Sequence, residues 1–184
     1  FPGWPEPWGR GWNGDWLARR ANLFAELGLI GPPPGLGTLM GGPIVIDHGT
    51  PEQQKRWLPQ LADGTAAWCQ LFSEPGAGSD LAGLTTTAER DGDDWIVSGQ
   101  KVWTSGAAHA TAGMLIARTN WDVPKHRGLS YFIIEMDQPG IEVRPLKQMN
   151  GASHFSEVFL DGALVSDVDR VGDAGRGWTI ATAT

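Results

Sequence analysis

At 184 residues, 41% hydrophobic and 19% charged, the chain is long enough to bury a real core and too mixed for a coiled coil or a disordered tail. Its 14 basic and 21 acidic residues give a net charge of −7, and the basic residues are scattered, which argues against a nucleic-acid-binding surface. No apolar run approaches the ~20 residues that cross a bilayer. One cysteine, Cys69, excludes an internal disulfide framework and a Cys-rich zinc site, and it fits a reducing compartment.

The first third reads as helical. In residues 1–12 Pro and Gly recur faster than a helical turn, so this stretch is a loop. Four of the ten tryptophans fall by Trp16, either plugging a neighbouring surface or forming an interaction patch. A helix is expected from Asp15, capped by Asp15 or Asn13, with Leu17, Ala21 and Phe24 at helical spacing and Gly28 closing it. Residues 31–35, with Pro32, Pro33 and Pro34, read as a stiff connector, and 36–47 as a short buried helix despite Pro43. Thr50-Pro51-Glu52-Gln53 is a strong helix start, with a reciprocal Thr50/Gln53 capping box and Pro51 where its missing N–H costs nothing. Pro59 is expected to break or kink that helix, and Asp63-Gly64 to end it.

After Gly64 the period changes. Strands are expected at 67–73, 84–90, 94–98, 101–104, 113–119, 130–136, 141–145, 155–160 and 168–171. Asp91-Gly92-Asp93 reads as a hairpin turn, with Trp95 and Val97 on one face of the following strand. Short strands with Gly, Pro and Asp turns argue an antiparallel barrel or sandwich rather than a βαβ fold. From Gly175 a helix of two to three turns begins. The chain opens at Phe1 without a basic, apolar leader and stops inside that helix, so it reads as a piece of a longer protein.

Two stretches could carry chemistry. In Gln70-Leu71-Phe72-Ser73-Glu74-Pro75-Gly76-Ala77-Gly78-Ser79-Asp80, a strand runs into a loop whose glycines let amides face an anion and whose Ser79 adds a hydroxyl. Two glycines alone equally suit an ordinary tight turn. The Rossmann fingerprint fails because Leu81 stands where its third Gly or Ala belongs, and the Walker Gly-Lys-Ser/Thr is missing. In Gly99-Gln100-Lys101-Val102-Trp103-Thr104-Ser105-Gly106, an indole followed by two hydroxyls could wall a flat heterocycle; Trp103 could equally be core. His48, His109, His126 and His154 lack metal-ligand spacing, Cys69 suits a small buried apolar position, and Asp80 suits an N-cap.

These two strings, in this order and about twenty residues apart, resemble the acyl-CoA dehydrogenase superfamily. Thr50-Pro51-Glu52-Gln53-Gln54-Lys55-Arg56 is similar to the helix closing its N-terminal domain, and Pro139-Gly140-Ile141, Val158-Phe159-Leu160-Asp161 and Val171-Gly172-Asp173 to later barrel landmarks. The resemblance implies an α+β chain: N-terminal helices over 1–66, a β-barrel that binds flavin and acyl-CoA over 67–172, and the first turns of a C-terminal four-helix bundle over 173–184. It implies FAD, held by Gln70, Phe72 and Ser73 along the flavin, Gly78 and Ser79 at the pyrophosphate, and Trp103, Thr104 and Ser105 at the ring. Ser79 would also approach the CoA part of the substrate. Gln70 and Ser105 stand where Tyr and Thr are common in the family.

The implied reaction is α,β-dehydrogenation of an acyl-CoA thioester, a glutamate taking the α-proton while the β-hydrogen leaves to the flavin. That glutamate and an Asp-x-x-Arg substrate segment would lie beyond Thr184, leaving no catalytic base here. The parent would be a cytoplasmic enzyme (mitochondrial if eukaryotic), oligomeric, passing electrons to an electron-transfer flavoprotein. An oxidase or monooxygenase on the same platform, or a non-catalytic binding module, is the alternative. Trp178 and Ile180 are expected to leave apolar surface exposed.

Overall fold

The computed structural model describes residues 1–29 and 35–184. Helices α1 (Gly14–Glu26), α2 (Gly42–His48) and α3 (Pro51–Ala62) precede eight strands, and α4 (Gly177–Ala181) closes the chain. The connector read at 31–35 lies, Gly35 apart, outside the described residues. Residues 1–12 form turns, and Trp4 is buried against Gly42, where a Cβ would meet the indole at 2.0 Å.

The local signals explain the helix starts. Asn13 caps α1 by accepting from the Trp16 amide (3.2 Å), and Thr50 and Gln53 form the reciprocal box on α3 (3.2 and 3.0 Å). The π-helical turn Gly37–Gly41, whose two terminal glycines let the chain lie against Trp68, leads into α2. Pro59 does not break α3, which continues to Ala62 with the Asp63 amide on the Pro59 carbonyl (3.0 Å). Trp57, Leu58 and Leu61 are buried from that helix, and a fully buried Leu contributes ~1.5–3 kcal/mol, enough together to offset the proline.

The strands are β1 (Trp68–Leu71), β2 (Thr87–Asp91), β3 (Asp94–Ser105), β4 (Ala112–Arg118), β5 (Leu129–Glu135), β6 (Ile141–Leu146), β7 (Phe155–Ser166) and β8 (Arg170–Val171). The segments expected at 94–98 and 101–104 are one strand, and much of 168–171 is a 3₁₀ turn, Asp167–Asp169. The sheet runs β6-β7-β3-β2-β4-β5-β8, with β1 on β4. It is mixed: β1 and β2 pair with β4 in parallel, and the remaining pairs are antiparallel. The hairpin turn is as read, with Asp91 opposite Asp94 and Gly92 at φ 62°.

The sheet curls around one of its faces. Trp95 of β3 meets Phe132 of β5 edge-on at 5.5 Å although two strands separate them in the sheet. Cys69, Leu71, Val97, Leu115, Val158 and Val165 fill the same interior. The opposite face, with Trp68, Met114, Ile116 and Tyr131, takes the helices. Gln53 Nε2 donates to the Val168 and Arg170 carbonyls (2.7 and 2.9 Å), while Arg56 (2.7 Å) and the Trp57 indole (3.1 Å) both bond Asp169. Ile180 is buried and Trp178 half-buried beside His126, correcting the expected exposure of α4. By contrast, no residue of α1 is buried.

Candidate functional site

Alternation along β1 sends Cys69 and Leu71 into the curled interior, and Trp68, Gln70 and Phe72 toward the helical side. Gln70 is half-buried there; Phe72 is buried, edge-on to Tyr131 at 6.0 Å. The Ser73 carbonyl accepts from the Val102 amide (2.9 Å), so the end of β1 lies directly against β3. Glu74 and Ala77 then exchange both main-chain hydrogen bonds (3.0 and 3.1 Å), closing a tight turn over Pro75 and Gly76.

Beyond that turn Gly78, Ser79 and Asp80 are exposed, and their amides donate to no acceptor among the described residues. Gly76 and Gly78 have neither positive φ nor any heavy atom within 4 Å of where a Cβ would stand. Nothing among the described residues requires glycine there; close approach of an outside group would. Asp80 stands at the N-cap position of the 3₁₀ turn Leu81–Gly83, as read, but its side chain makes no capping bond and instead pairs with Lys125 (2.7 Å).

The strand β3 supplies the ring. Between Lys101 and Thr104 it carries one residue more than β7 opposite, because Lys101 pairs with Val158 and Thr104 with Ser156. By plain alternation Trp103 and Ser105 would point inward with Trp95, Val97 and Lys101. The extra residue inverts that parity. Thr104 turns in, and Trp103 and Ser105 turn out. The bulge is built at Trp103, the one non-glycine residue among those described with positive φ (60°). A left-handed conformation costs an L-residue ~1–2 kcal/mol. Yet the indole is 63% exposed, touching Phe155 edge-on at 6.1 Å, so most of its apolar surface stays in water although the backbone is strained to place it. A strained, exposed aromatic points to a functional surface.

The hydroxyl of Thr104 is buried and has no partner among the described residues, so position 104 offers the exposed face only its main chain. The structure therefore brings Phe72 and Ser73 beside 101–102, one residue from the outward Trp103 and three from the outward Ser105, with the amide-bearing loop leading away from Ser73.

Sequence reasoning did not single out Lys101. It is fully buried, and its ammonium bonds Glu74 Oε1 (2.9 Å), the Phe72 carbonyl (3.1 Å) and the Ile116 carbonyl (2.9 Å). The same carboxylate accepts the Thr85 amide and hydroxyl (2.7 and 2.9 Å) and the Thr86 amide (2.9 Å). Burial alone would raise the Glu74 pKa; the Lys101 charge and the Thr85 and Thr86 bonds outweigh it and hold it down at about 2. Burial lowers Lys101 to about 8, with Glu74 pulling in the opposite direction. The signal was in the sequence: Lys101 shares the parity of Trp95 and Val97, so a cation was headed for the interior.

Cys69 is fully buried, and burial pushes its thiol up to about 12, as suits a small apolar filler. Among the described residues no three His, Cys, Asp or Glu side chains gather as a metal site.

The donor set suits a flavin nucleotide. Free amides and a hydroxyl at 78–80 match an anionic phosphate bridge, and an outward indole with Ser105 beside it matches a flat ring with polar edges. Fold and surface present a sheet-borne face with an outward indole and free loop amides, backed by a helical layer.

The chain belongs to the acyl-CoA dehydrogenase family: residues 2–65 match its N-terminal domain and residues 69–163 its middle domain. It is 46% identical over 185 residues to acyl-CoA dehydrogenase FadE34 of Mycobacterium tuberculosis, covering 100% of this chain and 26% of that protein. To acyl-CoA dehydrogenase IpdE1 of the same organism it is 45% identical over 185 residues, covering 99% and 48%. Among solved structures, the Tcur3481-Tcur3483 steroid ACAD G363A variant superposes with a TM-score of 0.88 at 34% identity, over 98% of this chain and 47% of that one. The ChsE4-ChsE5 complex from Mycobacterium tuberculosis gives 0.86 at 37%, over 98% and 46%. The chain thus spans between about a quarter and a half of these relatives.

Proposed function

We propose that this chain carries the flavin-docking platform of an FAD-dependent acyl-CoA dehydrogenase whose parent oxidises a steroid-derived acyl-CoA thioester at Cα–Cβ. The observation that carries the reading is Trp103, turned outward by a bulge in a left-handed conformation that leaves most of its indole exposed. Membership of the family supports the reaction class, and likeness to a chain described as a steroid ACAD supports the substrate class.

When bound, FAD supplies the two-electron acceptor for the hydrogen leaving the β-carbon. This chain's residues do the holding. Trp103 packs on the ring, and the Ser105 hydroxyl and the main chain at Thr104 donate to its polar edge. Gln70, Phe72 and Ser73 line it from the end of β1. Fixed donors at that edge favour the reduced, more negative form, and a sheet holds them without reorganisation. The Gly78 and Ser79 amides meet the pyrophosphate, and the Ser79 hydroxyl reaches toward the CoA portion. The base that removes the α-proton would come from outside this chain, and an electron-transfer flavoprotein would take the electrons onward.

The test is anaerobic mixing of the full-length parent with a steroid side-chain acyl-CoA and, separately, a straight-chain one. Bleaching of the flavin band by the first, faster than by the second, is the expected result. A colourless parent that takes up no FAD overturns the platform, and fast reaction of the reduced enzyme with oxygen overturns the dehydrogenase assignment in favour of an oxidase.

A further inference from the structure

The strained bulge needs something to hold it. Trp103 is mostly exposed, so its own packing does not fix its conformation, and an unfavourable φ persists only where the surroundings over-determine it. The bulge begins at Lys101, where the register slips. All three protons of the Lys101 ammonium are committed, to acceptors on the segment after β1 (Phe72 and Glu74) and on β4 (Ile116). Glu74 then closes the ring. It stands at the start of the amide-bearing loop, and Thr85 and Thr86, just past the loop's end, donate to the same carboxylate. The pair therefore joins both stems of that loop to the strand residue where the bulge starts.

Stability does not explain why such a pair is there. A buried ion pair contributes little net stability compared with apolar residues of similar volume, because both ions lose their hydration. Its distinctive property is directional: six hydrogen bonds meeting at two atoms groups admit few geometries.

We infer that Lys101 is a positioning residue: with Glu74 it locks the register of the β3 bulge to the 74–86 loop, so that Trp103 and Ser105 face the same ligand as the loop amides. The inference rests on the flavin-platform reading for the identity of that ligand, but the lock itself is a property of the chain. It acts through geometry and touches neither flavin nor substrate.

The test uses the full-length protein labelled with 5-fluorotryptophan, with and without FAD, the resonances of Trp103 and Trp95 being assigned by W103F and W95F. Lys101→Met removes the ammonium while keeping an unbranched side chain of similar length. The double variant E74Q/K101M removes both charges and leaves a carbonyl oxygen for the Thr85 and Thr86 amides, so it folds where the single variant fails. In E74Q/K101M the Trp103 resonance is expected to shift or split already in FAD-free protein while Trp95 stays in place. FAD binding weakens about tenfold or more, as loss of one aromatic stacking platform does. An unmoved Trp103 resonance, or one that moves only together with Trp95, overturns the lock. Failure of the unsubstituted parent to bind FAD would instead overturn the proposed function, and the FAD-free spectra would still decide the lock.

Discussion

Replacing Trp103 by Gly separates what the residue costs the fold from what it does for a ligand. The indole is 63% exposed, so about a third of a side chain that can bury up to ~250 Å² is out of water. At ~25 cal/mol per Å², its removal forfeits ~2 kcal/mol. Glycine adds roughly 0.5–1 kcal/mol through greater freedom of the unfolded chain. Against these, relief of the left-handed φ returns ~1–2 kcal/mol. The net loss is only ~0.5–2 kcal/mol, a fall of a few degrees in Tm for a chain of this size. The same change at Trp57, 4% exposed and bonded to Asp169, is expected to cost at least ~3–5 kcal/mol. Flavin affinity should show the reverse order, with Trp103→Gly weakening FAD binding at least about tenfold and any folded Trp57 variant leaving it nearly intact. Thermal melts and fluorescence titration of FAD measure the two quantities. A Trp103→Gly protein as destabilised as the Trp57 variant, or one with unaltered FAD affinity, would refute the claim that strain at this position serves a ligand.

Gly78→Ala meets no atom within 4 Å and needs no positive φ, so stability should hold or rise by ~0.4–1 kcal/mol while FAD uptake falls, read by thermal melts and by the flavin absorbance retained after gel filtration. Gly99→Ala is the contrast: its Cβ would stand 2.4 Å from Thr86 Oγ1 and 2.7 Å from Thr86 Cα, beside the Glu74 network, so urea melts should show a loss of at least ~2 kcal/mol. For pH, Glu74 is held at about 2 in the folded chain against 4.5 unfolded; its stabilisation, ~3 kcal/mol, is therefore complete above pH 4.5 and lost as pH falls through 2. Lys101 is protonated in both states over that range and adds no slope, so Glu74→Gln, though destabilised overall, should lose this part of the acid limb in pH-dependent melts.

What the sequence made legible was local. The Thr50/Gln53 box, the Asn13 cap and the Gly92 turn each depend on residues within four positions, and all form as read. The two motif strings identified the family for the same reason, since each is continuous. Trp103 was left open between core and ligand wall because its direction depends on a register slip against β7, more than fifty residues away in the chain. The Lys101–Glu74 pair spans 27 residues, and no short window contains both of its ends. Pro59 misled because the cost of the missing N–H is local while the burial of Trp57, Leu58 and Leu61 that offsets it is tertiary. The parallel pairing of β1 escaped for a related reason: composition and turns speak of neighbours in sequence, whereas β1 finds its partner 44 residues on.

The grip of α3 on the sheet has a consequence for how the chain comes apart. The family matches divide between residues 65 and 69, yet Gln53, Arg56 and Trp57 on one side of that line are fastened to the 168–170 strip on the other. Four bonds there, with Trp57 set edge-on to Trp68 at 5.5 Å, leave no seam along which helices could melt while strands survive. Calorimetry should record one endotherm for both layers, and α1, anchored by none of this, should exchange its amide hydrogens long before that peak.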